Sequence, residues 1–430
     1  SKAARSEGDP GSKAARSEGN PGSKATRSEG DPGSKAARSE GDPGSKAARS
    51  EGNPGSKATR SEGNPGSKAA RSEGDPGGGG AGSTEGSDDG DATQDRFDRQ
   101  TRFAPLGAEG QERLSQSRAL LVGCGALGGV LAQTLVRAGV GELTLVDRDV
   151  VELSNLPRQV LFEERHALEE VPKVDAAEET LTRIGGPTRL RPHAAHLDGR
   201  NLERLAKGAD VLLDGTDNLP TRYLLNDFAV ARGVPWVYAG VVGAEGLVLA
   251  IRPGSGPCLR CVFPEPPPPG TLATCDTAGV ILPAVGAVAS LAAGLALRLL
   301  AGRGDDLAPA LLSIDAWSGR VRTIQLARDP DCPTCARGEL PFLEAAPSRK
   351  PVVLCGRGAV QVVGVAAAPD PDALFERVQS VASDARRSGD LLRFTVDGHR
   401  LTVFPDGRAL IEGTEDPDRA RALYDRWIGS

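Results

Sequence analysis

Apolar residues are patterned in some stretches of the chain and missing from others. Residues 1–77 are seven copies of an 11-residue unit, SKA(A/T)RSEG(D/N)PG, with nothing apolar beyond Ala and three Gly or Pro in each copy. An 11-residue period can wind a right-handed supercoil, but only with an apolar stripe to bury. Here Gly and Pro interrupt any helix every turn or two. The expectation is a disordered, solvated tail with no part in catalysis. A Gly/Ser/Asp-rich bridge carries it to about Asp91.

Beyond the bridge, periodic patterning begins. Arg96–Gln116 reads as a short helical segment, and Ala119–Asp149 (ALLVGCGALGGVLAQTLVRAGVGELTLVDRD) reads strand, Gly-rich turn, helix, turn, strand. That is one βαβ unit of the doubly wound type. Further strands are expected at Leu190–Pro192, Val211–Asp214, Trp236–Ala239, Leu247–Arg252, Leu311–Ile314 and Val321–Leu326. Helical stretches separate the early strands while the later ones follow one another, so a mixed sheet is predicted. Ala278–Leu297 holds no charge over 20 positions, enough to raise a membrane span. Ala, Gly and Pro283 dilute its hydrophobicity, and Gly286, Ser290 and Gly294 give one small-residue face suited to close packing, in the core or at a dimer interface. From about Lys350 a smaller module reads strand (Val352–Leu354), helix (Asp372–Arg386), three strands (Leu392–Val396, His399–Phe404, Arg408–Glu412) and a last helix (Asp416–Trp427). Gly398 and Asp406-Gly407 supply hairpin turns. The predicted class is α/β: a repeat tail (1–91), a Rossmann-like doubly wound mixed sheet (92–340) and a small α+β C-terminal domain (350–430).

Charge and composition sharpen this. The chain carries a formal charge of −6; the repeats contribute +3, leaving −9 on the remainder. An acidic body argues against nucleic acid as partner. Outside the repeats only Lys173, Lys207 and Lys350 stand beside 35 Arg, so a Lys within a motif carries information. Seven Cys in 430 residues do not make a disulfide scaffold. The N-terminal stretch has no apolar core of a secretory signal, and the expected setting is cytoplasmic, with no membrane partner.

Five motifs carry chemistry. Gly123, Gly125, Ala126 and Gly128 form a Gly-rich turn that follows a strand and opens a helix, which lets backbone N–H groups approach a phosphate. Asp147, 24 residues after Gly123, suits ribose hydroxyls. Alone this says nucleotide, with NAD the default. Next comes Asp149-Val-Val-Glu-Leu-Ser154-Asn155-Leu156-Pro157-Arg158-Gln159. A dehydrogenase has no need of Arg158 and these amides, whereas a triphosphate does. Lys173 opens a later helix and adds a point charge. Asp217, in Thr216-Asp217-Asn218 just past a strand end, suits Mg²⁺ bridging phosphates or a helix N-cap; Asn218 can cap while Asp217 binds metal. Cys258/Cys261 and Cys332/Cys335 form two Cys-x-x-Cys pairs that fit a closed tetrahedral Zn²⁺ site, with a redox dithiol pair as the alternative. Cys275 is either a nucleophile near a helix start or a small buried hydrophobe. Cys124 and Cys355 read as structural, and His166, His193, His196 and His399 as surface or core residues.

With these residues in this order, the chain resembles the ubiquitin-activating-enzyme-like sulfur-carrier adenylyltransferases from about Arg96 to Ala336. The resemblance also rests on Arg96-Phe-Asp-Arg99-Gln100. It implies that a ubiquitin-like sulfur-carrier protein ending in Gly-Gly is adenylated with ATP and Mg²⁺, with zinc structural. It further implies a homodimer in which Arg99 reaches the partner's ATP. Arg158 and Lys173 would neutralise phosphates, Asp217 would hold Mg²⁺ and Asp147 the ribose. Cys275 would carry a later acyl or persulfide step in some relatives only. Ala126 stands where Gly is frequent. No rhodanese module is fused, so sulfur would come from a separate donor.

Overall fold

A computed structural model describes residues 96–429 apart from 269–270, 272, 274, 346–350, 355–357, 365–369 and 389–390. The repeat tail, the bridge and Cys355 lie outside the described residues.

Eight strands build the first sheet: β1 Arg118–Val122, β2 Glu142–Asp147, β3 Arg189–Ala194, β4 Val211–Asp214, β5 Trp236–Val242, β6 Glu245–Ile251, β7 Ala310–Asp315 and β8 Arg320–Gln325. Their order is β3-β2-β1-β4-β5-β6-β7-β8. The first five run parallel and the last three continue antiparallel. The mixed sheet is therefore observed, and all six further strands lie within a few residues of the expected spans.

Helices cover both faces, so the central strands are apolar on both sides and read as continuous runs. On one face lie α2 (Ala126–Ala138), α3 (Lys173–Ile184) and α5 (Leu282–Leu300), packing Leu131, Leu181 and Val288 onto Leu121, Leu145 and Val248. On the other lies α4 (Leu219–Arg232), whose Tyr223, Leu225 and Phe228 meet Leu120, Leu212 and Trp236. Helix α5 is long and apolar enough to cross a membrane by length and composition. Here its Ala284, Val285, Val288, Ala289, Ala292 and Ala296 are buried in the protein core. The small-residue face is not in that core: Ser290 and Gly294 are exposed, and a Cβ added at Gly286 or Gly294 would meet nothing within 4 Å. The close packing is done by the alanines.

The segment expected as one helix from Arg96 is broken. Residues 96–101 are helical, turns follow through Leu106, and α1 (Gly107–Gln116) restarts where Gly107 takes φ +65°.

A second, antiparallel sheet follows: β9 Val352–Leu354, β10 Ala359–Val363, β11 Arg386–Ser388, β12 Leu391–Val396, β13 His399–Val403 and β14 Arg408–Glu412, in the order β11-β12-β13-β14-β10-β9. Helices α6 (Pro371–Val378) and α7 (Pro417–Trp427) close its core around Phe394 and Leu423. Two expectations change. Helix α6 stops at Val378, not Arg386. Ser383 N–H donates to the Thr395 carbonyl and Asp384 accepts from Thr395 N–H at 2.7 Å, so this stretch docks on β12 and leads into β11. Strands β10 and β11 are not among those the sequence predicts. The Asp397-Gly398 turn has φ of +50° and +73°, the mirror-image conformation a two-residue hairpin needs.

Candidate active site

The C-terminal ends of the parallel strands open into a cleft of about 920 Å³. Gly123, Gly125, Ala126, Asp147, Asp149, Arg158, Lys173, Asp217, Asn218 and Cys275 all line it. Residues spread over 150 positions of sequence thus meet at the place where doubly wound sheets bind ligands.

The Gly loop shows why glycine stands there. Gly123 has φ +89°, and a Cβ on it would sit 2.6 Å from the Gly215 carbonyl oxygen. A Cβ on Gly128 would sit 1.8 Å from the Gly123 oxygen, and one on Gly215 2.4 Å from that same oxygen. The β1 and β4 loops touch backbone to backbone. Gly125 differs: its Cβ position is open, the nearest atom being Gln159 Nε2 at 3.6 Å. That leaves a cradle at the start of α2, where no side chain caps the helix and the first N–H groups face outward.

Asp147 is fixed from below. Cys124 N–H and Asp149 N–H donate to its carboxylate at 2.7 and 2.8 Å. Burial pushes its pKa up, opposed by the Lys173 charge and these two N–H groups. The Cys124 thiol is raised well above its usual range by burial and then by Asp147, which fits a packing role. Lys173 is 5% exposed, and its Nζ lies 3.3 Å from Asp149. Arg158 is held by the Ser154 carbonyl at 2.7 Å. Ser154, Asn155 and Leu156 are not among the residues lining the cleft. Asn155 is buried and its Oδ1 accepts from Glu152 N–H at 3.1 Å, while Leu156 packs on the core. These residues shape the turn that presents Arg158. Arg99 is exposed and does not line this chain's cleft.

Asn218 caps α4 by accepting from Thr221 N–H at 3.0 Å, and Asp217 beside it is exposed to the cleft. What anchors this loop was not visible in the sequence. Buried Asp214 accepts from Thr216 N–H and Oγ1 at 2.9 and 2.7 Å and from Arg222 Nε at 2.9 Å. Arg222 Nη2 returns hydrogen bonds to the Thr216 and Ala239 carbonyls at 2.7 and 3.1 Å. Two more cleft residues bear on what the cleft can hold. Gln159 is buried, and its Oε1 has no hydrogen-bond partner; an orphaned acceptor beside an open cradle fits a ligand that brings a donor. His196 lines the cleft and is held neutral, its pKa pulled to about 4 by burial and by Arg148 and Arg408.

Cys275 begins a short helical turn, Cys275–Ala278, and its Sγ donates to the Val241 carbonyl at 3.2 Å. It is half-buried at the cleft wall.

The other four cysteines converge. Their sulfurs all lie within 4.8 Å of one another, with Cys258–Cys332 and Cys261–Cys335 at 3.5 Å and Cys258–Cys261 at 3.9 Å. A tetrahedron of thiolates around zinc has sulfur–sulfur edges of about 3.8 Å, so the donor set fits that ion and leaves no open position. Burial raises the Cys258 thiol and pushes Cys261 to about 11, so a cation is what would let these groups ionise together. Helix α4 ties the cluster to the cleft. Asn226 accepts from Leu259 N–H at 2.7 Å. Asp227 accepts from Phe342 N–H at 2.9 Å and from Thr334 Oγ1 at 3.4 Å.

Residues 97–334, more than half of the chain, match the ThiF family. This chain belongs to the ThiF family. The sulfur carrier protein ThiS adenylyltransferase of Bacillus subtilis is 40% identical over 338 residues, 78% of this chain and 99% of that protein. The SAMP-activating enzyme E1 of Haloferax volcanii is 40% identical over 257 residues, 59% of this chain and 93% of that enzyme. The sulfur carrier protein adenylyltransferase of Thermus thermophilus is 41% identical over 248 residues, 56% and 90%. The Bacillus alignment is about a hundred residues longer than the span of the ThiF match, so its likeness extends past the cleft-bearing region.

Proposed function

We propose that this ThiF-family chain is an adenylyltransferase that activates the C-terminal glycine of a ubiquitin-like sulfur-carrier protein of the molybdopterin or thiamine type. The observation that carries this reading is the meeting of Arg158, Lys173 and Asp217 with the Gly loop in one cleft. A nicotinamide cofactor has no use for that set, and a triphosphate does. The Bacillus and Thermus relatives, whose names state this activity, support it.

The carrier's terminal carboxylate oxygen attacks the α-phosphorus of ATP. The bond from that phosphorus to the bridging oxygen breaks, and pyrophosphate leaves with its electron pair. The product is an acyl-adenylate, ready for sulfur from a separate donor. Asp147 holds the ribose and the start of α2 donates N–H groups to phosphate. Arg158 and Lys173 meet the charge that builds on the leaving group, so catalysis is positioning plus electrostatic stabilisation. Mg²⁺ held by Asp217 would neutralise phosphate oxygens. Zn²⁺ held by Cys258, Cys261, Cys332 and Cys335 is structural. The cytoplasm supplies both ATP and reduced thiols.

Pyrophosphate–ATP exchange with carriers ending in Gly-Gly tests the reading; exchange with none of them, in folded protein that binds ATP, would overturn it. A homodimer in which Arg99 serves the partner's cleft belongs to the same proposal. Arg99→Ala and Arg158→Ala, each inactive alone, are then expected to regain exchange when mixed, because one cleft in the mixed dimer has both arginines.

A further inference from the structure

Among the described residues, hydrogen bonds and ion pairs from the second sheet reach the first domain at two places, and both fall on chain that leads directly into the cleft. At one, the β13–β14 turn seats against the ends of β2 and β3. Asp406 accepts from His196 N–H at 3.1 Å and from Arg408 Nε at 3.0 Å. Arg408, 3% exposed, stacks 3.5 Å over Phe404 and donates to the Arg148 carbonyl. Arg148 and His196 line the cleft beside Asp147.

At the other contact, one oxygen of Glu170 gathers Arg386 at 3.1 Å, Arg393 at 2.9 Å and Arg400. Arg393 also donates to the backbone carbonyl of Glu170 at 2.6 Å. Glu170 holds φ +51°, a conformation that residues other than glycine seldom take. Arg393 is nearly buried, and burial draws its pKa down to about 10, against the pull of Glu170. A contact meant only to glue two sheets together is made as well by apolar packing. Three guanidinium groups on one carboxylate instead fix a position from several directions.

What is fixed lies three residues from Lys173. Here the chain runs beside residues 149–151: Val151 N–H donates to the Val171 carbonyl and Lys173 N–H to the Asp149 carbonyl, both at 2.9 Å. Pro172 stiffens the link. Any shift of Glu170 therefore reaches Lys173 and Asp149 together.

We infer that the C-terminal module positions the triphosphate end of the nucleotide site, with Glu170, held by Arg386, Arg393 and Arg400, as a positioning residue that acts through Lys173. The inference rests on the nucleotide reading above.

Calorimetric titration of ATP and of adenosine into the full-length protein tests it. Glu170→Gln is expected to weaken ATP about tenfold and to leave adenosine within about twofold, because adenosine lacks the phosphates that Lys173 meets. Glu170→Asp, which keeps the charge, is expected to recover most of the loss. Arg386→Gln removes one exposed arm and leaves Arg393 and Arg400 in place, so it is the variant to rely on if Glu170→Gln does not fold; about a threefold loss for ATP alone is expected. ATP affinity within twofold of wild type in the folded Glu170→Gln protein overturns the inference. So does equal weakening of ATP and adenosine, or an Arg386→Gln protein indistinguishable from wild type where Glu170→Gln fails to fold. If wild type binds ATP but supports no exchange with any carrier, the adenylation reading fails while this one stands. If wild type does not bind ATP, both fail.

Discussion

The nucleotide cleft and the four-cysteine cluster are built on opposite terms. In the cleft, Arg158, Lys173 and Asp217 face an opening of about 920 Å³, and Gln159 keeps a buried acceptor without a partner. In the cluster, four sulfurs face one another within 4.8 Å, and a tetrahedral ion would complete the set with nothing left over. One site is left open for a ligand, and the other closes on itself. The difference teaches where catalysis and stability part company although the two adjoin: Leu259, between Cys258 and Cys261, lines the cleft, and α4 reaches both. Asn218 caps α4 at the cleft; Asn226 and Asp227 hold the cluster's segments, about 12 Å further along the axis at 1.5 Å per residue.

If that division holds, Arg158→Ala or Asp217→Ala gives the largest effect on turnover. Pyrophosphate–ATP exchange is expected to fall about a thousandfold, with the melting temperature within about 1 °C of wild type, since exposed polar groups contribute little to stability. A large drop in melting temperature would merge the two regions. Asp214→Asn is next. It leaves Arg222 buried without its counter-charge and is expected to cost about 3 kcal/mol in denaturant unfolding. Exchange should fall as well, because the Thr216–Asp217 loop loses its anchor. Cys332→Ser follows, with zinc lost from the protein by elemental analysis and melting lowered by roughly 5 °C. Its exchange rate, read well below melting, should fall only severalfold, through α4. Cys275→Ala is the smallest: exchange unchanged within about twofold, any deficit appearing in sulfur transfer alone. Abolished exchange in that variant would place Cys275 in the adenylation step.

Much of this was legible in the sequence, where chemistry and spacing coincide. The Gly loop, the strand ends carrying Asp147 and Asp217, and the paired cysteines each declare themselves within a few residues. The rest depends on distant partners. Glu170 meets Arg386, Arg393 and Arg400 across more than 200 positions, and no local pattern marks it. Asp214 and Arg222 sit eight residues apart on a strand and a helix, a spacing that signals nothing in either element alone. Asn155 counts in the sequence among the amides suited to a phosphate; in the structure it is buried, is not among the residues lining the cleft, and its Oδ1 accepts from Glu152 N–H. The helix expected to run to Arg386 ends at Val378, because Thr395 on the neighbouring strand bonds Ser383 and Asp384 and draws that stretch onto the sheet.

The contact among Gly123, Gly128 and Gly215 has a consequence for changing this protein by design. Three α-carbons on three elements meet at distances that leave no volume for even one methyl group. The floor of the nucleotide site is thus closed to incremental substitution, and libraries aimed at it would return mostly unfolded chains. Variation in what the enzyme accepts has to be sought away from this floor.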